Sequence, residues 1–134
     1  MSSKKQTKTR NKTIGFRRFI NSFKNSFAGL AYAYHYEQSL WLHAAGTIGA
    51  VALGIICQIS FKEWAVVVIA LVVVLTSELL NTAIEATVDL VTEEIHPLAK
   101  IAKDCGSAAT FVSTVMAAII CMFIYVPYII EFFK

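Results

Sequence analysis

The feature that most constrains this chain is an almost unbroken apolar run, "WAVVVIALVVVL", at residues 64–75. It leads directly into "TSELLNTAIEATVDLV", residues 76–91, which places two glutamates, an asparagine and an aspartate where a membrane helix would end. The chain is 57% hydrophobic and 16% charged, with a mean hydropathy of +0.62. A soluble domain of this size could not hide that much apolar surface, so the sequence predicts an all-α membrane protein.

Apolar segments of sufficient length predict three membrane spans, at about residues 44–60, 64–90 and 107–130. Residues 60–63 are predicted to form the turn between the first two spans. Pro127 and the closing "EFFK" are predicted to end the third span. Residues 1–15 form a basic arm in this prediction, and residues 16–134 form one membrane domain.

Positive charge is concentrated at the N-terminus. Eight of the twelve lysines and arginines lie in the first 24 residues, and no acidic residue precedes Glu37. This asymmetry predicts a cytoplasmic N-terminus for a multi-pass membrane protein. No basic motif interleaved with aromatic residues follows, so a nucleic-acid partner is not expected.

Residues 16–37 predict an amphipathic helix before the first span. Apolar side chains recur at positions 16, 19, 20, 23, 27, 30 and 34, whereas Arg17, Arg18, Lys24 and Asn25 lie away from that face. A basic helix with phenylalanines on its apolar side is typical of the membrane surface. An ordinary helix that packs on other helices would show the same pattern.

The polar residues of the second span share one face. A helix advances about 100° per residue, so relative to Glu78 the side chain of Asn81 lies at about −60°, Glu85 at about −20° and Asp89 at about +20°. Helix exit into water would instead scatter polar residues around the axis. Ionisable residues inside a membrane span usually mark function, since each costs about 2.5–3.5 kcal/mol near the bilayer centre. Two alternatives remain, a structural hydrogen bond for Glu78 and a solvated helix end for Glu85.

The loop after the second span adds residues suited to phosphate chemistry. Lys103 and Asp104 precede the small residues at 106–109, on the side of the membrane predicted to be cytoplasmic. Carboxylates suit Mg²⁺, which commonly takes one or two of them together with substrate phosphates, and a lysine can hold phosphate. Together these parts favour phosphoryl transfer. The chain has no GxxxxGK[ST] loop and no kinase catalytic-loop signature.

At these residues the chain closely resembles a known family. "SELLNTAIEATVDL", the loop with His96 and "AKDCGSAA" are similar to the small bacterial integral-membrane lipid kinases, the diacylglycerol kinase and undecaprenol kinase family. The pattern E-x-x-N-x-x-x-E-x-x-x-D, a spaced histidine and then A-K-D carry the resemblance. It implies a surface helix, three spans, a homotrimer with active sites shared between subunits, and the use of ATP with Mg²⁺ to phosphorylate a membrane lipid alcohol.

The resemblance also implies roles for individual residues. Glu78 corresponds to the general base, Glu37 and Glu85 to metal-binding glutamates that also contact nucleotide, and Asn81 to a supporting polar residue. Ser107 falls on the lipid side. Further nucleotide contacts are implied for Arg18, Asn25, Glu94, His96, Lys103 and Asp104. Taken without the resemblance, His96 would be a loop-capping or solvent-exposed histidine, and Asp104 would be an acid that begins a helix before Gly106.

Some features depart from the family or leave a choice open. Trp41 stands where many relatives have an arginine, and Asp89 receives no role. The segment "HPLAKIAKD" resembles the undecaprenol branch and "CGSAA" the diacylglycerol branch, so the two signals conflict and leave the lipid open. Undecaprenol is favoured, and diacylglycerol remains the alternative. Two other functions compete with a kinase. The first is an oligomeric pore or proton carrier lined by Glu78 and Glu85, and the second is a structural membrane subunit.

Overall fold

A computed structural model describes residues 15–92, 94 and 96–134 and contains only helices. Helix α1 spans Phe16–Tyr36, α2 Gln38–Ile56, α3 Phe61–Val91 and α4 Pro97–Phe132. The last three are long and apolar enough to cross a membrane, which confirms the predicted all-α class and the number of spans. Residues 1–14 of the predicted basic arm lie outside the described residues.

The chain divides into two compact units, Met1–Tyr32 and Ala33–Lys134. The described part of the first unit is helical from Phe16 onward, and its phenylalanines at 16, 19, 23 and 27 are all exposed. The second unit contains the last turn of α1 and the three long helices. Within it, α3 packs mainly against α4 and more lightly against α2.

The first span begins and ends earlier than predicted. Helix α2 starts at Gln38, six residues before position 44, because a single residue with extended backbone, Glu37 with φ −102° and ψ 108°, separates it from α1. It ends at Ile56, and Gln58 then adopts a positive φ of 49°. His43 therefore lies inside the span rather than before it.

The turn predicted at residues 60–63 is largely helical. Ser60 caps α3, because its Oγ accepts from the Glu63 N–H at 3.4 Å while the Glu63 carboxylate accepts from the Ser60 N–H at 2.7 Å. This capping box starts α3 at Phe61, so the connection from α2 is confined to residues 57–60.

Helix α4 is longer than the predicted third span at its start. It begins at Pro97, ten residues before position 107, with His96 as its N-cap and proline at the first turn. Proline suits that position because N–H groups in the first turn of a helix have no acceptor within the helix, so a proline there loses no hydrogen bond. Helix α4 also continues through Pro127 to Phe132, so the prediction that Pro127 helps to end the span was wrong. Proline is tolerated inside membrane helices, where neighbouring groups satisfy the freed backbone.

The core of the second unit is small. One cluster joins Ile59, Val67 and Tyr125, and a second joins Ala70, Val74 and Ala117. The Tyr125 hydroxyl donates to the Ala50 carbonyl at 2.8 Å and so connects α4 to α2. Most large apolar side chains of the three long helices face outward, as expected of helices in lipid.

Candidate active site

The acidic stripe of α3, defined as Glu78, Asn81, Glu85 and Asp89, runs from the interior of the second unit to its surface. Glu78 is 4% exposed and Asn81 is 8% exposed. Glu85 is half-buried and Asp89 is exposed. A carboxylate buried this deeply requires a partner, because an unpaired charge away from water is costly.

That partner is His43 of α2, which sequence reasoning missed. Its Nε2 lies 2.6 Å from Oε1 of Glu78. The sequence contained a signal for His43, because an ionisable residue inside a membrane span usually faces the protein interior. The predicted span, however, began at residue 44 and left His43 outside it.

Asn81 connects the middle of the stripe to α4. Its Nδ2 donates to Oε1 of Glu85 at 3.0 Å, while its Oδ1 is buried with no hydrogen-bond donor. Gly106 lies against this oxygen so closely that an added Cβ would overlap it. The absence of a side chain at Gly106 therefore lets α4 approach the stripe.

Glu37, in the break between α1 and α2, adds a fourth carboxylate to the three of the stripe. Burial raises the pKa of Glu37 above its ordinary value, and the negative charges of Glu85 and then Glu78 raise it further. Neighbouring carboxylates of like charge favour a bound cation or a bound proton. Without the family resemblance, the sequence pattern could not have associated Glu37 with α3.

At the outer end of the stripe, α3 and α4 are joined by an ion pair. Lys103 Nζ lies 2.6 Å from Oδ1 of Asp89, which gives Asp89 the partner that the sequence did not identify. Lys100 pairs with Asp104 at 2.5 Å, one turn apart on α4. Both ion pairs are solvent-accessible, so Lys103 can also face a ligand.

The remaining predicted site residues lie near helix ends or on exposed faces. The His96 Nδ1 accepts from the Leu98 N–H at 3.2 Å, so this histidine caps α4 as the alternative interpretation expected. Glu94 is exposed, and its N–H donates to the Thr92 hydroxyl at 3.1 Å. Ser107 is exposed on α4. Arg18 and Asn25 are exposed on α1, within the first unit.

Trp41 of α2 contacts Tyr34 near the end of α1. Its Nε1 donates to the Tyr34 carbonyl at 3.0 Å, and its ring meets the Tyr34 ring edge to face at 5.5 Å. These contacts fasten the end of α1 to the start of α2. Trp41 therefore has a structural role, which is to connect α1 to α2.

The donor set of the stripe fits Mg²⁺. Within residues 15–92, 94 and 96–134, no three His, Cys, Asp or Glu side chains form a ready metal cage. Mg²⁺ seldom uses an all-protein cage, however, and usually takes one or two carboxylates with waters and substrate phosphates. Glu37 and Glu85, whose negative charges act on each other, supply two such carboxylates.

An apolar groove between α2 and α3 reaches this site. It has a volume of about 440 Å³ and is lined mostly by aliphatic side chains, with Tyr34 and His43 among its polar members. Because His43 also contacts Glu78, the groove approaches the buried carboxylate. An apolar chain with a polar end group would match this lining.

Known proteins are similar to this chain over most of its length. The profile of the family described as prokaryotic diacylglycerol kinase matches residues 24–125. The undecaprenol kinase of Bacillus subtilis is 37% identical over 110 residues, covering 82% of this chain and 89% of that protein. The diacylglycerol kinase of Pseudomonas aeruginosa is 38% identical over 99 residues, covering 74% and 80%. The diacylglycerol kinase of Escherichia coli K12 is 32% identical over 109 residues, covering 81% and 89%.

Proposed function

Because the chain belongs to the prokaryotic diacylglycerol kinase family, a family of lipid kinases, we propose that it transfers the γ-phosphate of ATP to undecaprenol. The observation that carries the proposal is the buried carboxylate of Glu78, 4% exposed, in a helix that is long and apolar enough to cross a membrane. A positioned carboxylate can act as general base towards a lipid hydroxyl. Neither a pore nor a structural subunit accounts for the family match.

In the proposed reaction, Glu78 takes the proton of the lipid hydroxyl. The hydroxyl oxygen forms a bond to the γ-phosphorus, the bond from that phosphorus to the β,γ-bridging oxygen breaks, and ADP leaves with those electrons. Glu37 and Glu85 would hold Mg²⁺, and Asn81 holds Glu85 in place through the 3.0 Å hydrogen bond. A bound Mg²⁺ supplies charge neutralisation on the β- and γ-phosphates.

The nucleotide would contact the residues just before α4 and the start of α4. Lys103 is the residue best suited to phosphate, because it is a point charge held between α3 and α4 by Asp89. The other proposed nucleotide contacts are Arg18, Asn25, Glu37, Glu85, Glu94, His96 and Asp104. Ser107 is proposed to face the lipid.

The lipid alcohol would place its apolar chain in the groove between α2 and α3. The aliphatic lining suits an isoprenoid or acyl chain, and His43 and Glu78 lie where its hydroxyl would arrive. The relatives include both an undecaprenol kinase and diacylglycerol kinases at nearly equal identity. Undecaprenol is proposed because its Bacillus subtilis kinase is 37% identical over 82% of this chain, whereas the Escherichia coli diacylglycerol kinase, which covers a similar share, is 32% identical. Diacylglycerol is the alternative.

The proposed setting is the bacterial cytoplasmic membrane. Residues 16–134 form the kinase domain, with α1 on the membrane surface and the N-terminus in the cytoplasm, as the excess of Lys and Arg indicates. A homotrimer is proposed as the assembly because the family resemblance implies it, and the small core of the second unit is compatible with self-association. ATP and Mg²⁺ then reach the stripe from the cytoplasmic side.

The test offers purified protein γ-labelled ATP, Mg²⁺ and equal amounts of undecaprenol and diacylglycerol in detergent, with thin-layer separation of the lipids. Labelled undecaprenyl phosphate is expected. Labelled phosphatidate alone would correct the lipid and keep the kinase. No labelled lipid, together with proton flux into nucleotide-free liposomes, would contradict the kinase and support the proton carrier.

A further inference from the structure

We propose that His43 is a positioning residue that fixes the carboxylate of Glu78, an inference that rests on the proposed role of Glu78 as general base. The two side chains come from different helices and are 35 residues apart in sequence. Their atoms Nε2 and Oε1 lie 2.6 Å apart. The Glu78 side chain is 5% exposed and that of His43 is 21% exposed.

The chemistry of the two groups sets the direction of the hydrogen bond. An ionised carboxylate only accepts hydrogen bonds, so Nε2 must carry the hydrogen that lies between them. In the neutral imidazole, Nδ1 then carries a lone pair. Oε1 is thereby engaged, and the lone pairs of Oε2 remain for the hydroxyl proton. His43 thus selects which oxygen acts as the base and fixes the plane of the carboxylate.

The location of the pair connects positioning to the lipid. His43 lines the apolar groove between α2 and α3, and Glu78 lies behind it on α3. A hydroxyl that arrives along the groove therefore meets a carboxylate already oriented. Orientation of this kind matters because a displacement of about 1 Å at a reacting group can cost roughly 100-fold in rate.

The test compares two replacements of His43 that differ in one property. Leucine at position 43 removes the donor, whereas the side-chain amide of glutamine restores an N–H at a similar distance from the backbone. We expect H43L to lower kcat roughly 10- to 100-fold while the KM for ATP stays unchanged. We expect H43Q to recover most of the lost kcat. The matched control is H35L, because His35 is exposed at the end of α1 and contacts the neighbouring Tyr36 ring.

Two kinetic outcomes would overturn the inference. One is an H43L protein with wild-type kcat, and the other is an H43Q protein as slow as H43L. Oligomer size in detergent identifies any variant that fails to assemble.

A second measurement tests the pair without catalysis. In protein labelled with ¹⁵N-histidine, NMR should show His43 as the Nε2–H tautomer in the wild type, and its Nε2 signal should shift in E78L. An unshifted signal would contradict the contact. If the wild-type protein transfers no phosphate, only the proposed kinase function is contradicted. The NMR result still tests the contact between His43 and Glu78 separately.

Discussion

Gly106 of α4 lies directly against the amide oxygen of Asn81 of α3, where an added Cβ would overlap that oxygen. This contact sets the distance between the two helices at the middle of the acidic stripe. It also leaves the Asn81 Oδ1, which has no hydrogen-bond donor, facing the α4 backbone. The spacing of α3 and α4 at the site therefore depends on the absence of one side chain.

Replacement of Gly106 by alanine should destabilise the protein by about 1–3 kcal/mol, the usual range for overpacking. It should also lower kinase activity, because Asn81 must move and Asn81 holds Glu85. Thermal unfolding in detergent and the specific activity measure the two effects.

The matched control for this substitution is G29A, since nothing lies within 4 Å of a Cβ at that position. Adding Asn81→Ala should recover stability lost in G106A, because the double variant removes the overlapping oxygen. Equal stability of G106A and G29A would contradict the contact.

The ion pair between Lys103 and Asp89 should affect nucleotide binding more than folding. Its two side chains are 37% and 63% exposed, so solvent screens the pair and its contribution to stability is small. Without Asp89 the lysine is no longer held beside the site. We expect D89N to raise the KM for ATP roughly fivefold, the equivalent of about 1 kcal/mol, with kcat little changed.

A charge swap separates the two roles of this pair. The double variant D89K/K103D restores an ion pair, yet it should leave the KM for ATP high because the lysine then stands on α3. A swap that regains the wild-type KM would show that only the pairing matters. Steady-state kinetics with varied ATP provide the measurement.

The carboxylates around Glu37 should make the metal-free protein sensitive to pH. Burial, Glu85 and Glu78 raise the pKa of Glu37 above 4.5 in the folded state. The folded protein therefore binds more protons than the unfolded chain, and stability falls as pH rises from about 4.5 through the raised value. We expect E37Q to flatten this fall, as measured by thermal unfolding in a chelator across a pH series.

The control for E37Q is E131Q, because Glu131 is exposed near the C-terminus of α4. It should leave the slope of stability against pH unchanged. Mg²⁺ with nucleotide should raise the unfolding temperature of the wild type and of E131Q, but less that of E37Q. An identical pH slope for E37Q and the wild type would contradict the placement of Glu37 beside the stripe.

Helical periodicity accounts for the part of the site that the sequence could predict. Rotation of about 100° per residue placed Glu78, Asn81, Glu85 and Asp89 on one face. The number of spans also followed from hydropathy and is confirmed. Both inferences use neighbours along one helix, which a sequence displays directly.

Contacts between helices could not be predicted in this way. His43 meets Glu78 across 35 residues, and Lys103 meets Asp89 from the next helix, so no local pattern relates them. Helix starts were also misplaced, because capping by Ser60 and His96 and the proline at position 97 extend α3 and α4 beyond their apolar runs. Hydropathy measures the membrane span, whereas capping decides where the helix begins.

The central claim is that Glu78 acts as the base of a lipid kinase, and E78Q tests it most directly. Glutamine keeps the size of the side chain and can accept from His43, but it cannot take a proton from the lipid hydroxyl. In single-turnover transfer of labelled γ-phosphate to undecaprenol, with wild-type oligomer size and ATP affinity, E78Q should be at least about 100-fold slower than the wild type. Transfer by E78Q at the wild-type rate would contradict the claim.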